Sequence, residues 1–302
     1  MSHIYVISPS SAVRVQAPVK RAVKRLQAMG HQVELDEAVF ARDTRFAGDD
    51  ATRLAAIRRA AASRADLVMT TRGGYGLSRL LPQLPHKAIA QSVARGTHWM
   101  GFSDFTALSL AAWAQAQVPT WAGPALIEDF GQEAEPDDIT VACWDDVISG
   151  AGEGTGWRIA KGDPSEFILR DAMLWGGNLA VLSSLVGTPY LPSDERGILF
   201  LEDVGEQPYR VERMLTQLLH SGVLARQKAV LLGAFTGQSR SVQDKGYSMA
   251  STVAWLRAHC KAKVLTALPF GHVRTKVTLP VGRRVDLAVQ GREALLVWGH
   301  AH

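Results

Sequence analysis

A serine, a pair of acids and a histidine stand where an α/β chain can do acyl-transfer chemistry. Ser103 lies in GFSD, between a short apolar segment and a strongly helical one that runs to residue 117. Such a junction has two readings: Ser103 or Asp104 caps the helix, or Ser103 is a nucleophile raised on a strand-to-helix turn. In the second reading the first helical amides, the Asp104 N–H among them, are free to meet an oxyanion forming beside Oγ. The two readings are compatible. The run RGGYG (72–76) follows another apolar segment. Its adjacent glycines serve a turn with positive φ or let backbone N–H groups approach a ligand, which would furnish a second oxyanion donor. It is no phosphate loop, since no G-K-[ST] follows and the spacing is not G-x-G-x-x-G. Glu202 and Asp203 end the apolar run 198–201. They are either a solvated strand exit or acids kept for chemistry, because burying a carboxylate without a partner is costly. His272 follows Gly271 in a loop. Alone it is polar surface; with a serine and an acid it is the natural general base. The chain order serine, acid, histidine is one of the known triad orders.

These residues need elements to hold them. HIYVIS, HQVELD, ADLVMTT and HWMGF read as strands, and VPTWAGP extends the sheet. Between them lie a helix with Val19, Val23 and Leu26 at helical spacing and Gly30 as its stop, and an Ala-rich helix from Asp49 or Asp50 through Ser63. This alternation implies right-handed crossovers and a mostly parallel sheet, with ligands beyond the carboxyl ends of its strands. RGGYG and GFSD both lie at such ends. The Gly-rich SGAGEGTGW (149–157) reads as a linker. Beyond it GILFLEDV and KAVLLGAF read as strands, YRVERMLTQLLHSG and SMASTVAWLRAHC as helices, and shorter extended segments follow from Val264. The expected class is α/β with two domains and a cleft between them. Residues 1–150 form a mostly parallel α/β domain carrying the serine, and residues 151–302 a β-rich, barrel-like domain carrying the acid and base. Glu206, Glu212 and Arg213 belong to an exposed helix face or its ion pairs.

Composition excludes several classes. The 302 residues, 47% hydrophobic and 21% charged, are enough for one large core or two. A net charge of +4, with Lys and Arg scattered as singles and pairs, offers no basic block for nucleic acid. MSHIYVISPSS lacks the charged start and apolar run of a signal peptide, and no stretch of ~20 apolar residues is present to span a membrane. Cys143 and Cys260 form no C-x-x-C and read as incidental thiols of a reducing compartment, so cytoplasm is expected. The histidines make no H-E-x-x-H and no close pair except His300 and His302 at the terminus, so neither metal nor cofactor is expected.

Taken together, RGGYG, GFSDFTAL, LWGGNLA, LEDVGEQPYRVERML and FGHVRTKVTLPVG resemble the motif series of the LD-carboxypeptidases, the muramoyltetrapeptide carboxypeptidase family of serine peptidases. The resemblance spans essentially the whole chain, in order. It implies Ser103 as nucleophile, Glu202 as acid and His272 as base, with the Gly74 and Asp104 N–H groups at the oxyanion. It further implies a cytoplasmic, usually homodimeric enzyme of peptidoglycan recycling. That enzyme removes the terminal D-alanine from murein tetrapeptides, cutting after the L-centre of a diamino acid, typically meso-diaminopimelate. Arg72, Arg210 and Arg274 neighbour the motifs and are candidates for the D-alanine carboxylate. Tyr75 is a further candidate substrate contact, and Asn178 of GGNLA either meets the peptide or caps a helix. A rival in the same superfamily resembles the microcin C7 self-immunity peptidases, which act on peptidyl or aminoacyl nucleotides. It requires an aromatic loop to stack on adenine, and Trp113, Trp121 and Trp144 fall in no obvious insertion. A non-catalytic murein-peptide sensor would have lost the nucleophile or the base, and this chain keeps both.

Overall fold

Short runs of Val, Ile, Leu, Met and Trp in the first half form strands buried on both faces, as a parallel sheet covered by helices requires, except for the half-exposed edge strand at Gln32–Leu35. The computed structural model describes residues 1–192, 196–238 and 242–299, so His300 and His302 lie outside the described residues. The chain runs β1 (His3–Ile7), α1 (Gln16–Ala28), β2 (Gln32–Leu35), α2 (Asp50–Ala62), β3 (Leu67–Thr70) and α3 (His86–Ala94). It continues through β4 (His98–Gly101), α4 (Phe105–Ala116), β5 (Thr120–Ala122), a π-helical turn at Leu126–Phe130 and α5 (Asp138–Ser149). Then come β6 (Gly154–Arg158), β7 (Glu166–Asn178), α6 (Leu179–Ser184), β8 (Gly197–Val204), α7 (Pro208–His220) and β9 (Ala229–Thr236). Last are α8 (Met249–His259), β10 (Lys263–Leu265), β11 (Leu279–Val281), β12 (Arg283–Gln290) and β13 (Glu293–Val297).

Two sheets result among the described residues. The first has the order β11-β5-β4-β3-β1-β2 and is parallel except where β11 meets β5. Because β1 lies between β2 and β3, the loops leaving β1 and β3 flank a topological switch point, the natural place for a ligand. The second sheet has the order β10-β9-β8-β7-β12-β13-β6, parallel from β10 to β7 and antiparallel from β7 to β6.

The closing region differs from the barrel-like form that its short extended segments suggest. β12 and β13 are a hairpin that widens an open mixed sheet, while β11 leaves for the edge of the first sheet. The long β7 makes this possible, pairing with β12 through Leu174 and with β8 from Met173 to Asn178. The Gly-rich passage is also only partly a linker. Gly150 ends α5 in the left-handed region, but residues 154–158 pair with β13, anchored by the buried Trp157.

α4 lies between the sheets. Every residue from Phe105 to Trp113 is buried, and the helix packs on β5, β7 and α6, which explains an apolar pattern on all its faces. One continuous core therefore includes Ile7 and Trp99 of the first sheet and Phe200 and Leu231 of the second. No helix among the described residues is long and apolar enough to cross a membrane.

Candidate active site

Three residues turn the chain from β4 into α4. Ser103 takes φ +61°, a left-handed conformation that costs a non-glycine residue about 1–2 kcal/mol. No side chain caps α4, so the structural alternative for Ser103 and Asp104 does not hold. Asp104 instead turns into the protein. Its carboxylate accepts from Ser10 Oγ at 2.6 Å and from the Leu77 N–H at 2.9 Å, which ties the serine turn to the loops after β1 and β3. Burial pushes the Asp104 carboxyl pKa up, against the pull of these hydrogen bonds. Gly73 explains the Gly-rich loop: a Cβ there would stand 2.6 Å from Ser103 Cβ and 2.7 Å from its Oγ. Among the described residues, no protein acceptor takes the N–H of Gly74 or of Asp104.

The acid and the histidine come from the second sheet. In the parallel register of β7 and β8, Asn178 stands opposite Glu202 at the carboxyl ends of both strands. Asn178 Nδ2 donates to Glu202 Oε1 and to Asp203 Oδ1, each at 3.1 Å. Its Oδ1 accepts from the Val181 N–H and so caps α6, while its backbone N–H donates to Thr106 Oγ1 of α4 at 3.0 Å. Glu202 is wholly buried, and its Oε2 lies 2.7 Å from His272 Nδ1. Gly271, at φ +127°, must be glycine because a Cβ would press on Glu202 Cβ and Oε2, both at 3.0 Å. The His272 ring packs on Phe102, the neighbour of Ser103, with centroids 4.9 Å apart. Glutamate and histidine thus meet from β8 and the loop before β11, and the histidine ring rests on the residue before Ser103. Asp203 accepts from the Ala180 and Val204 N–H groups, both at 2.8 Å. Burial, reinforced by the charge on Glu202, pushes its pKa up to about 6 despite these bonds.

A cleft of about 840 Å³ opens beside Phe102 and His272, with Glu128, Asp129, Arg274 and Lys276 in its walls. Arg274 Nη2 donates to the Glu135 carbonyl at 3.3 Å, and Arg72 Nε lies 3.6 Å from Glu128 Oε1. Of the predicted substrate contacts only Arg274 lines this cleft; Arg72, Tyr75, Asn178 and Arg210 do not, and Ser103, the residue after Phe102, does not line it either. Arg210 is held by Glu206 at 2.5 Å on the exposed face of α7, and the Tyr75 ring lies against Phe46 and Arg45. Trp113, Trp121 and Trp144 are core residues. Among the described residues no group of three or more His, Cys, Asp or Glu is gathered to hold a metal ion.

Sequence reasoning missed Ser10, Asp129 and Lys276. Lys276 is buried in an ion pair with Asp129, and its ammonium lies 4.5 Å over the Phe102 ring. Burial pushes the Asp129 pKa up while Lys276 pulls it down. Lys276 is visible in FGHVRTK, yet its partner is distant in sequence and nothing local marks the pair.

Comparison with known proteins adds the remaining observations. The LD-carboxypeptidase N-terminal domain matches residues 4–123 and the LD-carboxypeptidase C-terminal domain residues 171–287. The chain is 28% identical over 293 residues to the murein tetrapeptide carboxypeptidase of Pseudomonas aeruginosa, covering 94% of this chain and 92% of that protein. The crystal structure of muramoyltetrapeptide carboxypeptidase from Oxalobacter formigenes superposes with a TM-score of 0.89 at 36% identity, over 98% of each chain. The microcin C7 self-immunity protein in complex with aspartyl sulfamoyl adenosine shares the fold, with a TM-score of 0.87 at 22% identity over 99% of this chain and 96% of that one. Both domains match in order and carry between them Ser103, Glu202 and His272, and the chain belongs to the LD-carboxypeptidase family of serine carboxypeptidases.

Proposed function

We propose that this protein removes the terminal D-alanine from the murein tetrapeptide L-Ala-γ-D-Glu-meso-diaminopimelate-D-Ala, in peptidoglycan recycling. The observation that carries the reading is the strained Ser103 turn held against Gly73, with His272 on the buried Glu202 beside it. Glu202 fixes the imidazole with Nδ1 protonated, leaving Nε2 to take the Ser103 proton as Oγ attacks the carbonyl of the L-centre. The N–H groups of Gly74 and Asp104 receive the oxyanion, and the N-terminal end of α4 favours its charge. His272 returns the proton to the leaving nitrogen of D-alanine, and water repeats the cycle. Arg72 suits the D-alanine carboxylate best among the arginines, because its neighbour Gly73 touches Ser103.

The fold shared with the microcin immunity protein supports a second reading, hydrolysis of aminoacyl nucleotides. Phe102 is the one phenyl, phenol or indole ring among the described cleft residues, which favours the murein reading over one that needs adenine stacking. Parallel assays of D-alanine release from the tetrapeptide and of hydrolysis of aspartyl sulfamoyl adenosine separate them. A kcat/KM at least about 100-fold higher for the tetrapeptide is expected, and the reverse order would overturn the reading. A cytoplasmic homodimer goes with it; sedimentation equilibrium at twice the chain mass is the expected result, and a monomer would contradict that part.

A further inference from the structure

The cleft is charged unevenly. Its cations are already engaged: Lys276 by Asp129, Arg21 by the Gly131 carbonyl at 2.6 Å and Arg274 by the Glu135 carbonyl at 3.3 Å. Two of its carboxylates are engaged as well. Asp129 has Lys276 and the Ala125 N–H, and Asp137 has the Thr140 N–H at 3.0 Å and Thr275 Oγ1 at 2.8 Å. Glu128 is different. Its Oε1 stands 3.6 Å from Arg72 Nε, too far for a hydrogen bond, and its shielded Oε2 has no donor among the described residues. The side chain keeps 29% of its exposure and lines the cleft. Burial pushes its pKa up. Arg72, the Glu128 backbone N–H and Lys276 offset this burial only in part, so a cation that a ligand brings would stabilise the carboxylate further.

The position of Glu128 relates it to the bond that is cut. The π-helical turn carrying it is tied to the end of β3 by the Ile127 N–H, which donates to the Thr71 carbonyl at 2.9 Å. Thr71 precedes Arg72 and Gly73, and Gly73 touches Ser103. On the other side, Asp129 holds Lys276 over Phe102, the residue before Ser103. Glu128 is therefore fixed from both flanks next to the serine turn. A peptide with its scissile carbonyl at Ser103 has one cationic group within a side chain's length of that carbonyl, the distal ammonium of a diamino acid at its third position.

We infer that Glu128 determines specificity by receiving this ammonium, so that the enzyme selects peptides whose residue before D-alanine carries a free amine. This rests on the murein-peptide reading above. The test compares D-alanine release from the meso-diaminopimelate tetrapeptide and from the same peptide acetylated on its distal amine, with wild type and Glu128→Gln. Wild type should favour the free amine by about 10- to 100-fold in kcat/KM, mostly through KM, and Glu128→Gln should bring the two within about threefold. Equal cleavage of both peptides by wild type overturns the inference and needs no variant. A variant that loses activity equally on both peptides also overturns it, because Glu128 then serves only to hold Arg72. Wild type that releases D-alanine from neither peptide overturns the functional reading itself, a result distinct from these.

Discussion

Ser103 holds a backbone conformation that side chains avoid, and Asp104 beside it spends its carboxylate on two neighbouring loops instead of capping the helix. The same economy governs Glu202. Because Asn178 Nδ2 donates to Oε1, a Glu202→Gln side chain would place its carbonyl oxygen toward Asn178 and its amide NH₂ toward His272 Nδ1. The imidazole would then carry its proton on Nε2 and could not accept one from Ser103. Turnover should fall roughly 10⁴-fold with KM little changed; near-normal turnover would remove Glu202 from the mechanism. Asp203 gives a prediction on stability. Its pKa is raised from 3.8 to about 6, so between these values the folded state keeps a proton that the unfolded chain has lost. Stability from this group therefore declines as pH rises through that window and stays at the lower level above it. Melting curves of wild type and Asp203→Asn should diverge in slope between about pH 4 and 6 and run parallel above; parallel curves throughout would refute the assignment. Ser103, Glu202 and His272 were legible as candidates because each ends a recognisable local pattern. Glu128, Asp129 and Lys276 were not, since their environment is made by distant segments meeting.

The glycines near the site act on whole elements. Gly73 permits the loop after β3 to touch the serine turn, and Gly271 permits the loop carrying His272 to touch β8. Their substitutions should differ. At Gly73 the backbone angle is open to any residue and the clash falls on Ser103, so Gly73→Ala should lose about 100-fold or more in kcat/KM while its melting temperature moves by only a few degrees. At Gly271 a positive φ adds strain to the contact with Glu202, so Gly271→Ala should lose both activity and stability. Calorimetry beside the activity assay separates the two, and a fully active Gly73→Ala enzyme would contradict the close approach. β1 to β5 were readable because each is a short apolar run between turn signals. The long β7 was hidden by Glu166, Arg170 and Asp171 on its exposed first half, and three-residue β11 by pairing with a strand far away in sequence.

At the scale of the molecule, the two expected domains share more than a cleft. α4 belongs to the core of both, and β11, from the second half of the chain, forms an edge of the first sheet. Folding should accordingly be a single cooperative transition by calorimetry. A fragment of residues 1–150 would lack β11 and leave the apolar outer face of α4 bare, so it should aggregate; an independent cooperative melt of that fragment would contradict the shared core. Composition and alternation conveyed the class of fold, whereas the exchange of β11 between halves is a long-range pairing with no local signature. The central claim is that Ser103 is the nucleophile of an LD-carboxypeptidase, and its most direct test is D-alanine release from the meso-diaminopimelate tetrapeptide by wild type and Ser103→Ala, with and without chelator. The predicted result is release by wild type that survives chelation and falls by about 10⁴-fold or more in the variant. Equal release by both proteins would contradict it.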